Sequence, residues 1–397
     1  MKVTTTVGRI AFATLAATAL LGVSACSSGS VSGASAGATP AAAATTAAAS
    51  SEFASIIPPG DIVAASKKLV SDSLSASAGF TPQTDGPTAQ KPGAKIAYVG
   101  SDLTNGGVNA VATGLKEAAT VMGWTVNVYD GQASAQGRTA AISQAIAAKS
   151  DAIILGGSDP TESAASIKLA TAAGIPVLGW HAGASTGPGN GLFTNVSTDP
   201  LKVSQIAAAF AVADSDGKAG VAIFTDGQYA IAVKKAQAMK AYIEACPGCK
   251  VLSYNDSPIA DANTRMPGLI SNMLQKDGKN LTYLLAINGN YFGGAQQALK
   301  AAKTDPAGTP KSVAAGDGDP AEFQRIRSVD YQAATVAEPL ILESWQLIDE
   351  INRAFAGKQG STFVPAPGLI TVKNVPTGDV FDPASGYRDV FKKVWGK

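Results

Sequence analysis

Short apolar runs alternate with amphipathic stretches along most of the chain from Lys95 onward. "KIAYVG" (95–100) is apolar, Asn109 to Met122 carries helical spacing, "WTVNVYD" alternates, Arg138 to Lys149 is helical and "DAIILGG" is apolar again. Glu162 to Ala173 and the strand "IPVLGW" continue the series. After "GLFTNVSTD" it restarts with helix Leu201 to Ala213, strand "GVAIFTD", helix Ala230 to Ala245, strand "KVLSY", helix Arg265 to Gln275, strand "YLLAIN" and helix Phe292 to Ala302. Strands "SVAAGD" and "YQAATVAE" and a long helix from Pro339 to Phe355 complete it. Apolar strands alternating with longer helices predict parallel sheets covered on both faces. Roughly 300 residues of such units exceed one open sheet, so two lobes are expected, with the first passage between them near Asn195 to Asp199.

The chain ahead of Lys95 follows other rules. Lys2 and Arg9 precede an apolar stretch from Ile10 to Val23, and small residues lead into Cys26, the three-part pattern of a secretory signal peptide. The stretch is shorter than the roughly 20 residues a membrane-spanning helix needs, so residues 1–25 are expected to be removed. "VSAC" resembles the lipobox of bacterial lipoproteins, which implies that Cys26 is lipidated and becomes the mature N-terminus. Behind it, "SSGSVSGASAGATPAAAATTAAASS" has almost no large apolar side chain and cannot bury enough surface to fold. Residues 26–58 read as a tether, and 59–92 as one helix, Asp61 to Ser77, with a Pro/Gly-rich link. The lobes are then expected as 93–197 plus 339–370, and 198–338 plus 371–397.

Composition narrows the partners. A formal net charge of +1 with 15% charged residues leaves no electrostatic footprint for nucleic acid, and 42 glycines with 46% hydrophobic residues suit close-packed strands and helices. Cys246 and Cys249 form a C-x-x-C pair between a helix and a strand. Zinc would need two further ligands, and the chain adds only His181, so a local disulfide is the reading.

Open α/β sheets bind ligands at the carboxyl ends of their strands, and those ends here carry amides, carboxylates and aromatic rings. They are Ser101, Asp102 and Asn105; Asp130 and Gln132; Ser158 and Asp159; Trp180 and His181; Asp226 and Tyr229; Asn255 and Asp256; Asn288, Asn290 and Tyr291; Asp317 and Asp319; and Glu338. Such a set suits multidentate capture of a neutral, hydroxyl-bearing molecule, because carboxylates accept, amides donate and accept, and rings cover C–H faces. No G-x-S-x-G elbow accompanies the single histidine, and "GSDLTNGG" lacks both P-loop and dinucleotide spacing, so neither catalysis nor a cofactor or metal is expected.

"KIAYVGSDLTNGG", "GLKEAATVMGWTVNVYDGQ", "DAIILGGSDP", "AAGIPVLGWHAG", "LLAINGNYFGGAQQALKAA", "VAAGDGDP" and "YQAATVAEPL" resemble, in this order over about Lys95 to Val375, the ribose- and galactose-type periplasmic binding proteins of ABC importers. The resemblance implies two Rossmann-like lobes joined by three crossovers and closing over one sugar. By position, Ser101 and Asn105 match the polar residues after the first strand, Asn288 and Asp317 the later asparagine and aspartate, and Glu338 an amide-bearing position before the second crossover. Lys235 falls near the family's pocket arginine.

The departures are informative. Sugar binders of this type carry an Asp-Arg clamp after the fourth strand, where this chain has His181 and Ala182. They also place two aromatics in the first loop, where Gly107 and Val108 stand. His181 is therefore expected to replace the clamping carboxylate, and Trp180 the missing apolar face. The implied protein is a monomeric, extracytoplasmic, lipid-anchored subunit that delivers a small neutral ligand to an ABC transporter permease. Other readings are a binder of the same fold for a less polar alcohol or aromatic, a sensor serving a receptor kinase, a hydrolase on the same lobes, and a repressor, the last disfavoured by the signal peptide.

Overall fold

The computed structural model describes residues 52–75 and 84–397. The expected signal peptide, Cys26 and most of the tether lie outside the described residues.

In the first lobe, apolar runs become β1 (Lys95–Gly100), β2 (Thr125–Asp130), β3 (Ala152–Gly156), β4 (Val177–Trp180), β5 (Gly187–Gly189) and β6 (Leu192–Val196), in the sheet order β2-β1-β3-β4-β6-β5. All pairings are parallel except β5 with β6. β1 and β3 are buried almost throughout, whereas the alternating run at β2 occupies an edge and is half-exposed. The second lobe repeats the plan with β7 (Gly220–Thr225), β8 (Lys250–Asp256), β9 (Tyr283–Ala286), β10 (Lys311–Ala314), β11 (Gln332–Ala337) and β12 (Gly368–Thr371), ordered β12-β11-β10-β9-β7-β8. In each lobe the strand order reverses beside the first strand, the position where open α/β sheets leave a crevice.

The chain passes between the two sheets at 197–199 and 338–339. The third comes at 356–367, ahead of the expected boundary near residue 370, because β12 pairs antiparallel with β11 in the second sheet. The C-terminal segment also departs from expectation: it returns to the first lobe instead of completing the second. Helix Tyr387–Trp395 puts Tyr387, Phe391 and Trp395 on one face at i, i+4 and i+8, and that stripe closes the aromatic core around Trp345. Trp345 and Trp395 stack at 5.4 Å. The N-terminal helix, Ile62–Ser75, lies against helix Pro200–Asp214 of the second lobe, with Ser66 Oγ 2.9 Å from the Tyr242 hydroxyl. Cys246 and Cys249 are joined as a disulfide with Cα atoms 5.3 Å apart. Among the described residues no helix is long and apolar enough to cross a membrane.

Candidate functional site

Residues from the strand ends of both lobes border one cleft of about 50 Å³. On the first-lobe side, Asp102 Oδ1 accepts from the N–H and hydroxyl of Thr104 at 2.9 and 2.6 Å and turns the chain after β1. Asn105 then caps helix Gly106–Met122, its Oδ1 accepting from Gly107 N at 3.0 Å. What Asn105 chiefly offers a ligand is therefore its amide N–H. Ser101, Val108 and Gly157 complete this part of the wall.

β4 ends at Trp180, and His181 takes φ +50°. That left-handed conformation costs a non-glycine residue on the order of 1 kcal/mol. It lays the imidazole over the indole, with ring centroids 4.0 Å apart and planes 11° from parallel. The indole N–H donates to Glu343 Oε2 at 2.7 Å. Trp180 thus orients His181 and has given one face to it.

The second lobe supplies Tyr229, Ile231, Ala232 and Lys235 around the first turns of helix Ala230–Glu244, then Ile259, Ile287, Asn288 and Asp317. Asp317 sits at φ +60° between Gly316 and Gly318, a second strained residue at the end of a strand. A Cβ on Gly316 would collide with Lys235 Nζ. Only glycine lets that lysine pass.

Behind the wall lies Glu338, fully buried. Lys235 Nζ donates to its Oε1 at 2.8 Å, His181 Nε2 lies 2.8 Å from its Oε2, and the Thr198 hydroxyl also donates to Oε2. Burial alone would raise the Glu338 carboxyl. The charges and hydrogen bonds of His181 and Lys235 reverse this and hold it well below the usual carboxylate range. Burial likewise opposes both cations, yet the Glu338 carboxylate keeps His181 and Lys235 above their ordinary values. Burial and the nearby negative charge of Glu338 lift Glu343 to about 7.

Asp317 differs. Its side chain is 5% exposed, yet no described residue donates a hydrogen bond to its carboxylate. Burial pushes it up to about 6 although Lys235 and His181 stand near enough to favour its charge. It is an acceptor held ready without a donor. The carboxylate is seated directly against the first lobe: a Cβ on Gly107 would lie 2.7 Å from the Asp317 carboxyl carbon. His181, Asp317 and Glu338 place potential metal-ligand atoms within 4.8 Å of one another, but the Lys235 ammonium bonded to Glu338 repels a cation there. The set does not fit a metal.

Of the residues expected in the site, Ser101, Asn105, Trp180, His181, Tyr229, Lys235, Asn288 and Asp317 border the cleft, while Glu338 braces it from behind. Tyr291 is a correction. Its hydroxyl donates to Ser257 O at 2.7 Å and its ring packs 6.0 Å from Phe224, because the first turn of helix Asn290–Ala301 directs it into the core. Asp130, Asp159, Asp226 and Asp256 accept backbone N–H groups of their own or adjoining loops. Asp319 caps helix Pro320–Arg327. Sequence reasoning missed Glu343 and Thr198, and also Arg138, whose buried guanidinium pairs bidentately with Glu162 at 2.7 and 2.8 Å and lies 5.7 Å from the Tyr229 ring of the other lobe. These residues occupy ordinary positions in helices or connections, and nothing local marks them. A larger groove of about 460 Å³, lined by Lys67, Phe210, Tyr331 and Lys373, lies on the second lobe alone, so filling it gives no reward for closure.

Two lobes of matching topology thus set buried polar groups around a shared cleft, the layout of a solute-binding protein. The chain belongs to the periplasmic binding protein domain family, whose model matches residues 96–359. A solute-binding protein of an ABC transporter from Agrobacterium vitis, solved with alpha-D-tagatopyranose, is 20% identical, covers 72% of this chain and 96% of its own, and superposes with a TM-score of 0.64. A sugar ABC transporter protein from Yersinia enterocolitica is 18% identical over 80% of this chain and 100% of its own, with a TM-score of 0.65. A solute-binding protein from Bacillus halodurans, solved with myo-inositol, is 17% identical over 72% and 98%, with a TM-score of 0.62. No curated protein matches the chain.

The two buried carboxylates should respond oppositely to neutralisation. Asp317 binds a proton more tightly folded, at about 6, than at its ordinary 3.8, so its charge subtracts stability as pH rises through that window and continues to do so above it. Asp317→Asn is therefore expected to unfold at higher denaturant than the parent at pH 7.5, by on the order of 3 kcal/mol, with the difference vanishing near pH 4. Chemical denaturation at both pH values measures it, and an unchanged or lower midpoint at pH 7.5 contradicts it. Glu338 has its pKa depressed, so its contribution is present at neutral pH and is lost on acidification. Glu338→Gln leaves the buried Lys235 ammonium without its counter-charge and should cost about 3–5 kcal/mol at pH 7.5, read from the same titrations.

Proposed function

We propose that this chain is the solute-binding subunit of an ABC importer, held to the outer face of the membrane by a lipid on Cys26, and that it captures a small neutral hydroxyl-bearing ligand such as a sugar or polyol. One observation carries the reading. Asp317 is a buried carboxylate without a donor, placed beside Lys235 and Asn288 and facing the first lobe across the cleft. A ligand hydroxyl supplies the missing donor, and a hydrogen bond to a charged acceptor contributes about 1.5–3 kcal/mol.

Charge balance favours an uncharged guest. Groups of both signs are interspersed around the cleft, with Lys235 and His181 beside Glu338 and Asp317 and with Asp102 on the first-lobe wall, so an ionic ligand meets no field of a single sign. The sugar- and polyol-bound relatives of the same fold agree in kind, though their low identity carries only the fold.

Binding must be rewarded by contacts from both lobes, since a ligand that touches one lobe equally in open and closed states shifts nothing. Asn105 and His181 on one side, with Asn288 and Asp317 on the other, meet that condition.

Thermal shift against a panel of neutral sugars and polyols, followed by calorimetry on those that stabilise, tests the reading. A ligand is expected to raise the midpoint of the parent and not that of Asp317→Asn. Gly107→Ala, which sets a methyl against the Asp317 carboxyl when the lobes are closed, should weaken the same ligand more than tenfold while leaving the ligand-free midpoint within 2 °C of the parent. Stabilisation by charged solutes alone, or equal affinity in Gly107→Ala, contradicts it.

A further inference from the structure

The sheet order sorts the second-lobe lining. From the β8 edge inward, the strand ends bring Ile259 after β8, Ile231 and Ala232 after β7, Ile287 then Asn288 after β9, and Asp317 after β10. Lys235, one turn along the helix from Ile231, reaches toward the β11 side to meet Glu338. The second-lobe lining therefore runs from Ile259 and Ile231, with the Tyr229 ring beside them, at the β8 side to Asn288 and Asp317 at the β10 side. The first lobe contributes Val108, next to the Gly107 that meets Asp317, and His181.

Acceptors are also scarce. Asp102 has one oxygen committed to Thr104, Asn105 and Asn288 have their carbonyl oxygens bonded to backbone N–H groups, and Glu338 is saturated by protein donors. Asp317 is the lining carboxylate without a protein hydrogen bond among the described residues. Its two oxygens match two neighbouring hydroxyls. Beside Ile231 the polar lining consists of the Tyr229 hydroxyl, engaged by Arg138, and the Asp102 carboxylate, which keeps one oxygen uncommitted, so two free oxygens on one carboxylate are found at Asp317.

We propose that the cleft selects a small vicinal diol whose far side is aliphatic, a deoxy or C-methyl sugar or polyol, over its fully hydroxylated counterpart. This rests on the reading of the cleft as a site for neutral hydroxyl-bearing solutes. A hydroxyl directed at Ile231 and Ile259 loses its water without gaining a partner, whereas a methyl group there gains contact. Trp180 gives one face to His181, so the C–H face of a guest meets the isoleucines and the Tyr229 ring instead.

The test uses matched pairs that differ by one hydroxyl or methyl: L-rhamnose with L-mannose, L-fucose with L-galactose, 2-C-methyl-D-erythritol with erythritol, and 1,2-propanediol with glycerol. Calorimetry on the purified chain at pH 7.5 is expected to show, in at least one pair, the deoxy or methyl member binding tenfold or more tightly, about 1.4 kcal/mol. In that pair Ile259→Asn, at a half-buried site that tolerates a polar side chain, should reduce the preference below threefold while Asp317→Asn abolishes binding of both members. Tighter binding of the hydroxylated member in every pair that binds, or binding confined to other, fully hydroxylated sugars, overturns the proposal and leaves the general reading standing. An unchanged preference in Ile259→Asn also overturns it. Failure of every sugar and polyol to bind removes both.

Discussion

One buried carboxylate bonded by a lysine and a histidine from opposite lobes sets the terms for the rest of the cleft. Glu338 lies just before the second passage, and its donors come from the end of β4 through His181, from the second-lobe helix through Lys235, and from the first passage through Thr198. Buried ion pairs repay their desolvation only when geometry is close and the remaining valences are filled. Here both oxygens are bonded, which ties the hinge-side ends of the two sheets together. The Trp180 indole, anchored on Glu343, keeps the imidazole in the orientation that makes this possible.

Two of the eleven non-glycine residues with positive φ among the described residues lie in the cleft. His181 and Asp317, one at a strand end in each lobe, both hold left-handed backbone that other residue types adopt only at a cost. In return each side chain points back across its own strand end toward the partner lobe. Glycines make room for the result: Gly316 for the lysine, Gly107 for the aspartate. The two positions at which sugar binders of this type carry aromatics are here Gly107 and Val108, and the first of them is filled by the approach of Asp317. Absence of a side chain in one lobe is therefore matched to presence of a buried charge in the other.

Much of this was legible in the chain. Apolar strands separated by amphipathic helices specify a covered parallel sheet through burial alone, and the strand-end rule then delivered most of the cleft lining. Two kinds of feature escaped. Long-range partners such as Glu343 and Arg138 sit inside ordinary helices, where only the folded neighbourhood gives their charge a role. The C-terminal helix escaped because the long helix before it read as the end of the alternation, although Tyr387, Phe391 and Trp395 carry a plain apolar stripe. Tyr291 erred in the opposite direction: a strand-end position was read as exposed, but the first turn of a helix can aim a ring inward as readily as outward. His181 was placed at the site for a reason that needed revision. It does not simply replace a clamping carboxylate, because its ring is already bonded to Glu338.

That revision bears on how closure is driven. In a binding protein whose lobes meet only through ligand, all of the differential free energy between open and closed states must come from the guest. Here several contacts join the lobes without it: His181 with Glu338, Lys234 Nζ donating to Ala184 O at 3.2 Å, and Arg138 over the Tyr229 ring. Contacts of this kind favour the closed arrangement, so a ligand has to supply only part of the free energy that holds the lobes together. A guest with few hydroxyls can then be retained by a small number of bonds. Selectivity in turn passes to the residues that meet it last, the unpartnered Asp317 carboxylate at one end and the isoleucines at the other. A carboxylate kept at a stability cost and left without a donor makes sense on those terms, since its cost is relieved only by a guest that brings the right hydrogen atoms.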